Sequence, residues 1–249
     1  MSLDHEEMLT AKKIGLSHKE LFMLYVLQAL DQRIESGSEL FLKMEQELLG
    51  KRVSQSHFYA TLASLREQGL IQKVSSTDHR QTLLTITPAG RQKREWYRQS
   101  YIESFTMVKV WADLFVFEIT RTGSKPSVIH SNSEHQKFFS RLVHVRRLVE
   151  WMILKELHRS PRLIPSTILN ESLEKYGWQP AKTYYFEVLW DMEKKIWIEG
   201  KWEGERRSHR VYRLLPKGKE VYSMVEEDVL ASVRKVQVFL RSVLKLLVV

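Results

Sequence analysis

Apolar residues recur along this chain at three- and four-residue spacing, and the pattern twice gives way to short apolar runs around a polar tip. Leu21, Leu24, Leu27 and Leu30 form the first stripe, which is the spacing of an amphipathic helix. Ser17 precedes it with Glu20 three residues on, a capping box, so a first helix is expected over about 17–32. A second helix is expected over 38–49, ended by Gly50, a residue suited to the left-handed position after a helix. A third starts near Ser54 and ends at Gly69. The apolar run 70–74, the polar tip SSTDHRQ and the return run 82–87 then predict a β-hairpin. Pro88 opens a long helical stretch, 88–120, at a position that tolerates a missing N–H.

The same plan occurs a second time. An offset of 127 residues places Leu21 on Leu148, Leu27 on Leu154, Leu30 on Leu157, Leu42 on Leu169 and Gly50 on Gly177. It also places Phe58 and Tyr59 on Tyr185 and Phe186, and Leu62, Leu65 and Ile71 on Leu189, Met192 and Ile198. One extra residue then puts Pro88 and Gly90 on Pro216 and Gly218. Matches of this kind are what two copies of one core retain. The second copy therefore predicts helices over about 143–158, 165–176 and the stretch after Pro180. A hairpin over 197–202 and 211–215 follows, then a long helix, 216–247. The segment 121–133, rich in Gly, Pro, Ser and Asn, reads as a linker. The expected division is 1–121, a linker over 122–133, and 134–249. The fold class is mainly α with small β-hairpins (α+β): two tandem winged helix-turn-helix domains, each followed by a long C-terminal helix.

Composition narrows the partners. The chain has 249 residues with 43% apolar and 28% charged, enough for a real core, and its formal net charge is +9. That excess favours a polyanion such as DNA, RNA or an anionic membrane surface. There is no cysteine, which excludes disulfides and thiolate chemistry. Residues 1–20 are too polar for a signal peptide, and no apolar run reaches the roughly 20 residues that span a bilayer, so a cytoplasmic protein with no membrane partner is expected.

Tyr59, Leu62, Leu65, Gly69, Leu70 and Ile71 stand in a Tyr-x-x-Leu-x-x-Leu-x-x-x-Gly-Leu-Ile register. In the return strands, Arg210, Tyr212, Leu214 and Gly218 of the second copy, and Leu84, Ile86, Thr87 and Gly90 of the first, follow an Arg-x-Tyr-x-Leu-Thr-x-x-Gly pattern in part. In these features the chain resembles the PadR family of transcriptional regulators, over both modules and their trailing helices. The resemblance implies a winged helix-turn-helix that binds double-stranded DNA and dimerises through its trailing helix. The second copy departs from the pattern, with Phe186 for the Tyr and Ile196 for the Gly. Family members usually carry one module, so the second is open to a lost or altered base-reading role.

In a helix-turn-helix the recognition helix enters the major groove by its N-terminal residues. In the first copy these are Ser54, Gln55, Ser56 and His57, and in the second Ala181, Lys182, Thr183 and Tyr184. Gln pairs with adenine, and Lys182 reads guanine or holds a phosphate. Tyr59 either reaches a phosphate or packs in the core. The wing tips are expected to follow the backbone or enter the minor groove, through His79 and Arg80 in the first copy and Arg206, Arg207, His209 and Arg210 in the second. Glu203 and Glu205 dilute the second cluster, and Arg91, Lys93 and Arg94 either neutralise phosphates or form a solvated helix face, the latter reading being favoured.

Two modules in one chain suggest either a pseudo-dimer, with the long helices packed together, or a homodimer through the same helices. No metal, phosphate-loop or nucleophile motif appears, so neither an enzyme nor a cofactor is expected. An aromatic small molecule near Trp96 and Trp111 is a candidate effector, against plain core packing. The expected function is sequence-specific double-stranded DNA binding as a transcriptional repressor. The alternatives are a DNA-binding protein of plasmid or phage replication, termination or segregation, and a protein-interaction module whose winged helices no longer bind DNA. Glu187, Asp191 and Glu193 keep the last one open for the second half.

Overall fold

The computed structural model describes residues 17–47, 54–74, 82–127, 133–160, 162–204 and 209–248. Gly50, His79, Arg80, Arg206 and Arg207 lie outside them, and His209 is described by its backbone alone. Two compact units divide the chain: Met1–Thr106 with Val238–Val249, and Met107–Gln237.

In the first unit, α1 (His18–Gln32) is followed by β1 (Glu35–Ser36), α2 (Gly37–Glu47), α3 (Gln55–Glu67), β2 (Ile71–Val74) and β3 (Leu83–Ile86). Next, α4 (Pro88–Thr120) begins. The capping box at the start of α1 forms as expected: Glu20 N–H donates to Ser17 Oγ (3.2 Å), and Ser17 N–H donates to the Glu20 carboxylate (2.7 Å). Leu21, Leu24, Leu27 and Leu30 are buried, with Leu40, Met44, Phe58, Leu62, Leu65, Ile71, Leu84 and Ile86. Each such side chain contributes roughly 1.5–3 kcal/mol on burial. Phe58 is the hub, with its ring 5.4 Å from Phe41 and 6.4 Å from Phe22. The hairpin gains a third strand that was not expected: the sheet order is β1-β3-β2, antiparallel, with Glu35 opposite Leu84.

The second unit contains α5 (Ser133–Leu142), α6 (Val145–Arg159), β4 (Ile164–Pro165), α7 (Ser166–Glu174), α8 (Lys182–Lys194), β5 (Ile198–Glu203) and β6 (His209–Leu214). The chain then enters α9 (Pro216–Leu247). Its sheet repeats the first, in the order β4-β6-β5. Helix α5 was not expected; it carries Phe139 into an aromatic core with Trp111 (5.4 Å), Phe115 (5.7 Å) and Trp178 (5.8 Å). Below this core Lys155 Nζ donates to the Glu118 carboxylate (2.8 Å) and stands 4.5 Å from the Trp151 ring centre. Burial pulls the Lys155 ammonium down to about 8. Burial also pushes against the Glu118 charge, but the Lys155 and Arg121 partners outweigh it and hold that carboxyl at about 2.

One correction to the repeat follows from burial. Leu42 is 57% exposed, and the buried residues of α2 are Leu40 and Met44; in α7 they are Leu169 and Leu173, at the same four-residue spacing. Glu35 opposes Leu84 as Ile164 opposes Tyr212. Leu40, not Leu42, is therefore the counterpart of Leu169. The second copy has two more residues between its first two helices and two fewer before its third.

Both third helices end in the same turn. In the first unit Leu70 N–H donates to Leu65 O and Gly69 N–H to Arg66 O, both at 2.9 Å. In the second, Trp197 N–H donates to Met192 O (3.0 Å) and Ile196 N–H to Glu193 O (2.9 Å). This pairing needs a left-handed residue after the helix: Gly69 has φ 68° and Ile196 has φ 59°. A β-branched residue is strained there.

Candidate nucleic-acid interface

Helix α3 starts where Ser54 has an extended backbone, and its Oγ lies 2.8 Å from Ser56 Oγ without capping the helix. Ser54, Gln55, Ser56 and His57 are all exposed, while Phe58 is fully buried. The buried Phe58 fixes the rotation of the helix, so the first turn faces outward. Farther along, Ala60 and Ala63 continue the exposed face. These side chains are short, which lets the helix backbone approach a surface closely. Tyr59 is 40% exposed and rests on Phe41, with ring centres 6.4 Å apart. It serves both readings: a packed ring and an accessible edge.

Between α3, the start of α2 and the hairpin lies an open crevice of about 360 Å³. Arg66, Lys73, Tyr59, Ser38 and Thr82 line it. The start of α2 presses close: a Cβ added at Gly37 would stand 3.3 Å from the Tyr59 ring and 3.2 Å from Leu62. Among the described residues neither Arg66 nor Lys73 has an ion-pair partner. Three basic residues at the start of α4 are engaged. Arg91 and Arg94 pair with Asp31 (2.8 and 3.0 Å), and Lys93 sits 3.9 Å from the Trp96 ring centre.

Helix α8 in the second unit has the same rotation, set by buried Tyr185. Lys182 and Thr183 are exposed, and Tyr184 is half-buried, its hydroxyl pKa raised by burial against the nearby Arg146 charge. The outward face then differs. Glu187 and Trp190 occupy the places of Ala60 and Ala63, with Trp190 59% exposed and Lys194 Nζ 3.4 Å from its ring centre. Phe186 is exposed beside them. Asp191 pairs with Arg146 (2.5 Å) and Lys195 (2.7 Å).

The counterpart of the crevice is closed. Glu193 stands at the place of Arg66, Gly200 at that of Lys73, and Arg210 at that of Thr82. Arg210 Nη2 donates to both oxygens of Glu193, at 2.7 Å each. The pair lies directly over Gly200: a Cβ there would overlap Glu193 Oε1, Arg210 Nε and the Tyr212 ring. Trp202 flanks it, 5.3 Å from the Arg210 guanidinium carbon. Arg210, expected at a free wing tip, is thus gripped within its own unit.

Sequence reasoning did not single out Arg66 and Lys73. A signal was present in the repeat, because Arg66 faces Glu193 and Lys73 faces Gly200 at the same offset. Charge reversal between copies marks a difference of surface, whereas apolar matches mark only the core. Among the described residues no group of three His, Asp or Glu side chains is placed to hold a metal, and no helix is long and apolar enough to cross a membrane.

No protein-family model matches this chain, and neither does any curated protein. Among solved structures, Bacillus subtilis PadR in complex with operator DNA is similar at 15% identity, with 70% of this chain and 97% of that chain covered and a TM-score of 0.28.

Proposed function

We propose that this chain binds double-stranded DNA through its first unit, with α3 in the major groove, and acts as a transcriptional repressor by steric occlusion. The observation that carries this reading is the outward face of α3. Exposed Gln55 and His57 at its first turn lead a run of short side chains, Ser56, Ala60 and Ala63. A helix enters the groove only when its face permits close approach, and Gln then reads adenine bidentately. Arg66 and Lys73, without an ion-pair partner among the described residues, and the net charge of +9 support a polyanionic partner. In this reading each half is a winged helix-turn-helix with a trailing helix, divided at 121 and 134. The trailing helices mediate pairing, within one chain or between two, the protein is cytoplasmic, and it performs no catalysis.

Selection of bound duplexes from random DNA tests the reading. A reproducible motif is expected, and Gln55→Ala should relax preference at one position by about 1–3 kcal/mol. Failure to enrich any sequence would sink it. Footprints over promoters favour the repressor; repeated sites at an origin or terminus favour a replication or segregation role. Light scattering decides between the pseudo-dimer and the homodimer. An aromatic effector should quench Trp96, and silence across a panel removes it.

A second reading has its own observation. Phe186 and Trp190 expose aromatic surface on α8, and Arg210 is bound to Glu193. These features favour a second unit that contacts protein rather than DNA.

A further inference from the structure

The two copies treat one place in the fold in opposite ways. In the second unit the space between the third helix and the hairpin holds a carboxylate, Glu193, gripped by Arg210 (2.7 Å). In the first unit the same space is an open crevice of about 360 Å³ with two cations, Arg66 and Lys73. No carboxylate pairs with either among the described residues. Thr82 and Tyr59 line the same opening, as does Ser38, whose hydroxyl lies 3.1 Å from Ser36 Oγ. The Ser36 hydroxyl is already committed, donating to Glu39 at 2.8 Å.

We propose that the first-unit crevice is an oxyanion site, built between Arg66 and Lys73, and that its occupant is a backbone phosphate of DNA. The identity of the occupant rests on the DNA-binding reading; the anion chemistry does not. Two cations suit the acceptor oxygens of a phosphate, and Thr82 and Tyr59 add hydroxyl-bearing side chains to the lining. Such a contact fixes register and supplies affinity without reading sequence. Unit 2 satisfies the equivalent place with its own carboxylate, so it offers no such seat. Of the two equivalent places in the described residues, the one beside α3 therefore offers the phosphate seat.

The test uses the full chain and a labelled mixed-sequence duplex, followed by fluorescence anisotropy over a salt series. Lys73→Gln and Arg66→Gln should each weaken binding roughly tenfold, on every sequence alike. Each should also reduce the slope of log affinity against log salt by about 1. Lys73→Arg should restore most of the loss. The triple exchange Arg66→Glu, Lys73→Gly, Thr82→Arg transplants the ion pair of the second unit and should close the site; unchanged thermal melting of the single variants keeps the test sound if the triple fails to fold. Wild-type binding with both Gln variants unchanged in affinity and slope overturns the crevice and leaves DNA binding standing. If the wild type binds no duplex even at low salt, the DNA reading fails, and inorganic phosphate becomes the probe. Saturable shifts of the Arg66 and Lys73 amides would then support a free-anion occupant, and no shift would overturn the site.

Discussion

The first and second units share a frame and differ on its outer face. Phe58 and Tyr185 are both fully buried and set the same rotation of α3 and α8. Gly90 and Gly218 both meet a backbone carbonyl of the first hairpin strand region, Leu70 O and Trp197 O, where a Cβ would overlap. Outside that frame the copies diverge: Ala60, Ala63, Arg66 and Lys73 in one become Glu187, Trp190, Glu193 and Gly200 in the other. The lesson is that a fold is held by its inward residues, so two units of one plan keep similar cores while their outer faces diverge.

The largest effects should fall on what the units share. Phe58→Ala and Tyr185→Ala should each cost about 3–5 kcal/mol in urea unfolding, and a near-neutral result for either would break the claim of a common frame. Smaller, and unequal, effects should follow at the differing site. Arg210→Ala leaves Glu193 without its partner and should destabilise by about 1–2 kcal/mol. Arg66→Gln should change stability by less than about 0.5 kcal/mol, since it breaks no pair. Equal losses would mean that the first-unit crevice is also internally satisfied. The smallest contrast lies at the helix ends. Ile196→Gly relieves a left-handed β-branched residue that is 60% exposed. It should raise stability by about 0.5–1 kcal/mol after the entropy of the added glycine is counted. Gly69→Ile should do the reverse, by about 1–2 kcal/mol, and thermal melts of the two variants compare them directly.

Much of the frame was legible in the chain. The long helices α4 and α9 run over the residues that their apolar spacing and opening prolines predict, Pro88–Thr120 and Pro216–Leu247. The third strand of each sheet was not legible. Glu35–Ser36 and Ile164–Pro165 are two-residue strands made by pairing with a distant return strand, and no local pattern announces such a pairing. Helix α5 lies almost wholly in 134–142, a stretch assigned to the second half but to no element, because its buried Phe139 and Leu142 stand among polar residues. Leu42 was misplaced on Leu169 because a constant offset ignores loop-length changes that cancel. The exposed first turn of α3 lay where the pattern put it, but the crevice beside it depends on residues brought together from α2, α3 and three strands. That juxtaposition is tertiary. The pairing of Arg210, expected among the DNA-contacting wing residues, with Glu193 is hidden for the same reason, since the two lie 17 residues apart on different elements.

The central claim is that the two units meet DNA unequally, and amide hydrogen exchange of the full chain with and without a bound duplex tests it most directly. The account predicts new protection in α3, at the start of α2 and along β2, with α8 and β5 unchanged. Equal protection of both units, or protection confined to α8 and β5, would contradict it.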